Sequence, residues 1–186
     1  MNEAQKRILL GIARDAVRAA VAGSAPPEFA SDDPVLTAHC GCFVTLKSGD
    51  RLRGCIGQFI SDRPLVETVA AMAKAAATED PRFFGDRLRL QELDGLEVEI
   101  SVLSPLVRTQ NPRSLRLGLD GVYIKRGHLS GCFLPQVATE TGWNAEEFLS
   151  ICCSHKAGLP PDAWRDPETE VYLFTADVFG ASLPEI

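Results

Sequence analysis

Hydrophobic residues near the N-terminus recur at helical spacing. The repeat of three to four residues predicts an amphipathic helix over residues 3–22. Asn2 and Gln5 stand three residues apart at its start, as in a capping box, in which each side chain binds the other residue's backbone N–H group. The apolar stripe is expected to consist of Ile8, Ile12, Ala16 and Ala20, with Leu9, Ala13 and Val17 beside it.

Farther along the chain, apolar and polar residues alternate as they do in β-strands. Two hairpins are predicted, the first turning at 48–50 and the second near 126–127. An alanine-rich helix over about 62–78 is expected after the first hairpin, and a helix over about 144–156 after the second. The strands are expected at residues 40–47, 51–59, 97–103 and 171–178 and in the hairpin 121–134.

The two hairpins resemble each other in sequence. Gly-Cys-Phe-Val-Thr at 41–45 parallels Gly-Val-Tyr-Ile-Lys at 121–125, and Leu-Arg-Gly-Cys at 52–55 parallels Leu-Ser-Gly-Cys at 129–132. Because a predicted helix follows each hairpin, the pattern indicates an internal duplication of a hairpin-plus-helix unit within one domain. The expected halves are residues 1–105 and 106–186.

Charge and composition disfavour several classes of partner. The formal net charge is −6, from 19 Lys and Arg against 25 Asp and Glu, and this disfavours nucleic acid, which requires a basic surface. No apolar run approaches the ~18 residues of a membrane span, so no membrane association is expected. Six cysteines are too few for a small secreted disulfide scaffold. They are expected to be free thiols in a cytoplasmic protein.

The segment Leu-Arg-Gly-Cys-Ile-Gly at 52–57 is the most unusual in the chain. In a regular strand, Arg51, Arg53 and Cys55 lie on one face. Positive neighbours favour the thiolate form of a cysteine, so Cys55 is a candidate nucleophile or redox centre. An alternative stays open, in which a bulge at Gly54 reverses the alternation and makes Cys55 a small core residue.

The same segment is a candidate ligand site. Its glycines allow backbone N–H groups to approach an anion, and its arginines supply positive charge. Arg82, in the run Glu-Asp-Pro-Arg-Phe-Phe, is a further candidate, with pairing to Asp80 or Glu79 as its structural alternative. The candidate ligand-binding residues are Arg51, Arg53, Gly54, Ile56, Gly57, Gln58 and Arg82.

No metal site is predicted. Cys40 and Cys42, with His39 or with the cluster near 152–155, lack the pair spacing that zinc sites use. His128 is placed in the second hairpin turn, where solvent exposure accounts for it. The common motifs for nucleotide phosphates, dinucleotides, serine hydrolases and zinc proteases do not occur.

Five segments together resemble the AMMECR family. They are Leu-Arg-Gly-Cys-Ile-Gly at 52–57, Asp-Pro-Arg-Phe at 80–83, Glu-Ile-Ser-Val-Leu at 99–103, Leu-Pro-Gln-Val-Ala at 134–138 and Lys-Ala-Gly-Leu at 156–159. The resemblance covers about residues 13–179. Within the family, the acidic and compact chain is most similar to the prokaryotic branch, which belongs to the AmmeMemoRadiSam system. It implies an α+β fold, in which helices flank a mainly antiparallel, curved sheet. It also implies that the segment 52–57 is the functional site, and that a Memo-like protein and a radical SAM protein are partners.

The resemblance names no reaction and no cofactor, so three hypotheses remain. In the favoured one, the chain is an accessory or binding module that takes a small anionic ligand or a partner at residues 52–57. In the second, it is an enzyme or redox protein that uses Cys55 as its nucleophile, although the sequence supplies no identifiable general base. In the third, it is a structural or regulatory protein and the segment only shapes the hairpin.

Overall fold

A computed structural model describes residues 1–186. The chain divides into two compact units: unit one contains residues 1–103 and 177–186, and unit two contains residues 104–176. Antiparallel strand pairs with helices packed against them confirm the predicted α+β class. No helix is both long and apolar enough to cross a bilayer.

In unit one, two helices pack on one face of an antiparallel sheet. The helices are α1, Glu3–Ala22, and α2, Leu65–Thr78. The strands are β1, Cys42–Ser48; β2, Arg51–Gln58; β3, Glu97–Leu103; and the C-terminal end of a long strand, β7, which spans Glu170–Ser182. The order β2-β1-β3 makes β2 an edge strand. The core between helices and sheet includes Leu9, Val17, Val44, Leu46, Val69 and Ile100.

Helix α1 begins as predicted and buries most of the predicted face. Asn2 and Gln5 form the expected capping box, with two backbone-to-side-chain bonds of 2.9 Å. Ile8, however, is 48% exposed, whereas Leu9 and Ala13 are fully buried. Ile12 and Ala16 of the predicted stripe are buried, as are the predicted flanking residues, and Ala20 is partly buried, so the prediction was wrong only for Ile8. Helix α1 contacts both α2 and β3 and so buries a wide arc.

Unit two contains the second hairpin and its helices. Its strands are β4, Val107–Arg108; β5, Asp120–Arg126; β6, Leu129–Phe133; and the N-terminal part of β7. Both β5 and β4 pair with β7, and β6 pairs with β5. Helix α3, Pro135–Thr141, was not predicted, whereas the predicted helix 144–156 corresponds to α4, Ala145–Ile151, and a π-helical turn, Cys152–Ala157. The core is centred on Phe133, Phe148, Val122, Ile124 and Trp164.

The registers of the two hairpins differ by two residues. Their sequence alignment matches Phe43 with Tyr123 and Cys55 with Cys132, so equal registers would place each cysteine opposite the matching aromatic residue. In the structure, Cys55 lies opposite Thr45, whereas Cys132 lies opposite Tyr123. The internal duplication therefore stays a prediction.

Candidate functional site

A β-bulge in β2 determines where the side chains of residues 52–57 point. Gly54 lies opposite Leu46, but Leu52 lies opposite Lys47, so Arg53 is an extra residue without a partner in β1. Side chains alternate from Gly54 onward in step with β1, and Cys55 therefore shares the face of Thr45 rather than the helix-packed face. A β-bulge at Gly54 was an alternative that the sequence left open, and a bulge is present one residue earlier. Its position is Arg53, and it leaves Cys55 outside the core.

Gly54 lets α2 approach the sheet very closely. A Cβ atom on Gly54 would lie 2.9 Å from the carbonyl carbon of Ala76 and closer still to its oxygen. Gly57 is restricted in the same way, since a Cβ atom there would lie 2.6 Å from the carbonyl oxygen of Cys42 and would overlap the Phe43 ring. These two glycines are required by packing within unit one.

The Cys55 thiol is partly exposed and has a hydroxyl neighbour. Thr45 Oγ1 donates a hydrogen bond to Cys55 Sγ over 3.3 Å. Glu99 on β3 lies opposite Thr45, so a thiol, a hydroxyl and a carboxylate residue occupy adjacent strands on one face of the sheet. Sequence reasoning missed Thr45 and Glu99. Only the strand register places Thr45 beside Cys55 and Glu99 on the other side of Thr45.

The backbone of Cys55 is bound by two side chains. Its N–H group donates to Asp80 Oδ2 over 2.9 Å, and its carbonyl oxygen accepts a bond from Arg82 Nη2 over 3.1 Å. Both groups point away from β1, toward the free edge of β2. Asp80 and Arg82 thus cover the part of the edge that another strand would otherwise pair with.

Asp80 and Arg82 are also paired with each other. The buried Asp80 carboxylate accepts bonds from Arg82 Nε at 2.9 Å and from Arg82 Nη2 at 2.6 Å. It also accepts the backbone N–H of Arg82, because it caps the short 3-10 turn Pro81–Phe83. These bonds, chiefly those from the Arg82 side chain, lower the pKa of Asp80 to about 2, while the same pairing raises the pKa of Arg82. The pair is therefore ionised at any physiological pH.

The other two candidate arginines are directed elsewhere. The side chain of Arg53 is 3% exposed; its Nη1 donates to Glu92 Oε1 over 2.5 Å and its Nη2 to the carbonyl oxygen of Asp86 over 3.1 Å. Arg51 is exposed and pairs with the carboxylate of Asp86. The bulge removes Arg53 from the Cys55 face, so the expected cluster of guanidinium groups around the thiol is not formed.

The structure thus brings together only part of the predicted site. Cys55, Gly54 and Arg82 meet at the edge of β2, with Gly57 two residues farther along the same strand. Ile56 packs against the core of unit one, and Gln58 lies opposite the buried Cys42. The ligand-binding and catalytic roles of these residues stay predictions.

Four of the other five cysteines have thiols that burial makes harder to ionise, whereas Cys132 is partly exposed like Cys55. Burial raises the pKa of Cys42 to about 12 and that of Cys153 to about 11. Burial also raises the pKa of Cys152 and of the partly exposed Cys40. No group of three or more His, Cys, Asp or Glu side chains in residues 1–186 is arranged to hold a metal ion.

Comparison with known proteins gives one consistent result. The sequence pattern of the AMMECR1 family matches residues 10–179. A protein from Methanothermobacter thermautotrophicus is 43% identical over 186 residues, covering 96% of this chain and 95% of that protein. A protein from Thermococcus gammatolerans is 46% identical, covering 86% of this chain and 80% of that one. The crystal structure of the uncharacterized protein PH0010 from Pyrococcus horikoshii superimposes with a TM-score of 0.89 at 38% identity, over 100% of this chain and 95% of that chain. The match over nearly its full length, in sequence and in fold, shows that the chain belongs to the AMMECR1 family.

Proposed function

We propose that the chain is a binding module whose binding site is the outer edge of β2 around Cys55, Gly57 and Arg82. One observation carries the proposal: the outward backbone groups of Cys55 are bound by the side chains of Asp80 and Arg82 instead of by a neighbouring strand. Gly57 has the same parity as Cys55, so its N–H and C=O groups also point to this edge. A ligand at this edge finds the outward N–H group of Gly57 near the guanidinium group of Arg82, which is bound to Cys55.

The charge of Arg82 favours a ligand with an anionic group. Its side chain is 55% exposed even though Nε and Nη2 are bonded to Asp80. Nη1 makes no bond within the protein and is free to donate. A carboxylate or phosphate oxygen accepts strongly from such a charged donor. The class of ligand is therefore a small anion or an acidic segment of a partner protein.

Catalysis at this site is less well supported than binding. Proton transfer at neutral pH needs a group whose pKa lies near 7. The Asp80 carboxylate has a pKa of about 2 and already accepts bonds from Cys55 and Arg82. Arg82 remains protonated because its pKa is raised. Neither Asp80 nor Arg82 is therefore suited to accept a proton from a substrate.

The partners to test first are those that the family resemblance implies. They are the Memo-like protein and the radical SAM protein of the AmmeMemoRadiSam system, for which this chain would be a cytoplasmic accessory protein. In this proposal, an extended acidic segment of one of these proteins binds the β2 edge through its carboxylate groups.

Calorimetric titration of the chain with each of these proteins tests the proposal. Arg82→Ala should weaken binding at least tenfold, since truncating one partner of a charged contact typically costs 2 kcal/mol or more. Arg116→Ala is the matched control: Arg116 binds the buried carboxylate of Asp120 through Nε at 3.0 Å and Nη2 at 2.7 Å, but in unit two. Both variants lose an equivalent ion pair, so a difference in affinity reports the β2 edge. No heat with either partner, or equal affinity for Arg82→Ala and wild type, would contradict the proposal.

A second candidate function is covalent or redox chemistry at Cys55. The observation that favours it is the hydrogen bond from Thr45 to a partly exposed sulfur. Intact mass measured after co-expression with the radical SAM protein tests it. A mass increase that Cys55→Ala abolishes supports the function, whereas an unchanged mass leaves the segment with a binding or structural role only.

A further inference from the structure

A cavity lies entirely within unit two, and none of the residues of the proposed β2 site lines it. Its volume is about 420 Å³, within the range of about 300–1,000 Å³ that small-molecule sites occupy. One wall is the segment 108–113 and the other is the segment 164–171. A backbone bond of 2.9 Å from Thr109 N–H to the carbonyl oxygen of Val171 holds the two walls together.

Two arginines of the cavity are fixed in position. Arg113 and Arg165 both stack on the indole of the buried Trp164, with guanidinium-to-centroid distances of 5.6 and 4.7 Å. They also share the carboxylate of Glu146, Arg113 at 2.7 Å from Oε1 and Arg165 at 2.9 Å from Oε2. Each guanidinium has five N–H donors, so this contact leaves most of them available. Trp164 and Glu146 therefore hold the guanidinium groups of Arg113 and Arg165 close together before any ligand binds.

Arg108 adds a third guanidinium group, which has only one distant carboxylate neighbour. Its nearest carboxylate is Glu170, and the Nη1 to Oε2 distance of 3.9 Å is too long for a hydrogen bond. The carboxylate that lines the cavity is Asp166, which already binds Arg126 and the backbone N–H of Glu168. Glu146 and Glu170, which the arginines approach, lie outside the lining, so the lining itself carries three guanidinium groups against one carboxylate.

A buried hydroxyl also points to a missing partner. Thr169 lines the cavity and is 7% exposed, and its Oγ1 atom has no hydrogen-bond partner in the protein. Buried polar groups are nearly always bonded. Thr169 thus holds a hydroxyl with an unused donor and acceptor in the wall formed by residues 164–171.

We propose that this cavity is a binding site for a small organic phosphate. Three guanidinium groups match the three terminal oxygens and the double charge of a phosphate monoester better than the two oxygens of a carboxylate. The side-chain amides of Gln110 and Asn111, which also line the cavity, are placed to bind a polar organic moiety. The proposal is independent of the function proposed for the β2 edge.

Calorimetric titration at low ionic strength with inorganic phosphate, AMP and adenosine tests the proposal. Phosphate and AMP should bind and adenosine should not, because the phosphate group supplies the charge. Arg108→Gln and Arg113→Gln should each weaken AMP binding about tenfold or more, as expected for the loss of a charge-assisted contact. Arg116→Gln is the control on the same segment, since Arg116 binds Asp120 and does not line the cavity.

Arg108 is exposed and weakly bound, so Arg108→Gln is expected to fold normally, and its melting temperature checks this. Absence of AMP binding by the wild-type chain overturns the proposal. Equal AMP affinity for wild type, Arg108→Gln and Arg113→Gln overturns it as well, because binding would then occur elsewhere. Arg82→Ala should bind AMP like wild type, so failure at one site does not imply failure at the other.

Discussion

Replacement of Gly54 by alanine tests whether the glycine is required by packing. The added Cβ would lie 2.9 Å from the carbonyl carbon of Ala76, where two carbon atoms are normally about 3.5–4.0 Å apart. Both atoms belong to main-chain segments, so no side-chain rotation relieves the overlap. Helix α2 must therefore move away from β2 by about 1 Å.

The size of the effect follows from what α2 buries. Leu65, Val69, Ala73 and Ala76 of this helix are at most 1% exposed. A radial gap of about 0.5–1 Å forfeits a quarter to a half of the dispersion energy of each contact that it opens. Overpacking of a tight site typically costs about 1–3 kcal/mol. The backbone-to-backbone overlap places Gly54→Ala at the upper end, at about 3 kcal/mol.

Urea and thermal denaturation, followed by circular dichroism, measure this effect. A loss of about 3 kcal/mol corresponds to a decrease of roughly 6–12 °C in the melting temperature of a chain of this size. Gly11→Ala is the matched control, because Gly11 lies inside α1 with open space around its Cβ position. That substitution should stabilise the protein by about 1 kcal/mol, through helix propensity alone. A free energy of unfolding for Gly54→Ala that equals the wild-type value would refute the packing argument.

Three further predictions concern the ionised groups and the thiols of unit one. Because the pKa of Asp80 is lowered to about 2, its pairing stabilises the native state at neutral pH, and this contribution of about 2 kcal/mol is lost as the pH falls from about 5 to 2. Asp80→Asn should therefore show a flatter stability profile over that range in urea titrations, and an unchanged slope would contradict the assignment. Glu92→Gln should destabilise the protein by about 2 kcal/mol in the same assay, because it leaves the buried Arg53 guanidinium without its charged partner. Iodoacetamide, read by peptide mass spectrometry, should modify the partly exposed Cys55 well before the fully buried Cys42, and equal rates would show that Cys55 is inaccessible in solution.

The direction of the Arg53 side chain differs from the one that the sequence predicted. A regular strand places Arg53 on the face of Cys55 and makes a basic pocket around a thiol. The bulge instead directs Arg53 inward to Glu92, 39 residues away in the sequence. Arg82, which is 27 residues from Cys55, becomes the arginine at the site. The candidate site is therefore a strand edge bound by side chains, and the proposal that it binds an anion rests on a single half-exposed guanidinium group.

The sequence alone determined the features that depend on neighbours along the chain. The capping box of Asn2 and Gln5 was predictable because both partners lie within one helical turn. The first hairpin followed from the alternation of residues on either side of Gly49, which adopts the positive φ of the turn. The pairing of Arg82 with Asp80, two residues away, was one of the sequence alternatives and is present in the structure. The family resemblance singled out the segment 52–57.

The tertiary structure alone decided which residues surround Cys55. The bulge at Arg53 leaves no mark on the hydrophobic pattern, since it arises from the pairing of β2 with β1. Thr45 joins the site because strand register places it opposite Cys55, and Arg82 joins because the chain returns after α2 to the edge of β2. Local sequence specifies hydrogen bonds within a few residues, whereas register and edge coverage depend on the free energy of packing the whole sheet against its helices.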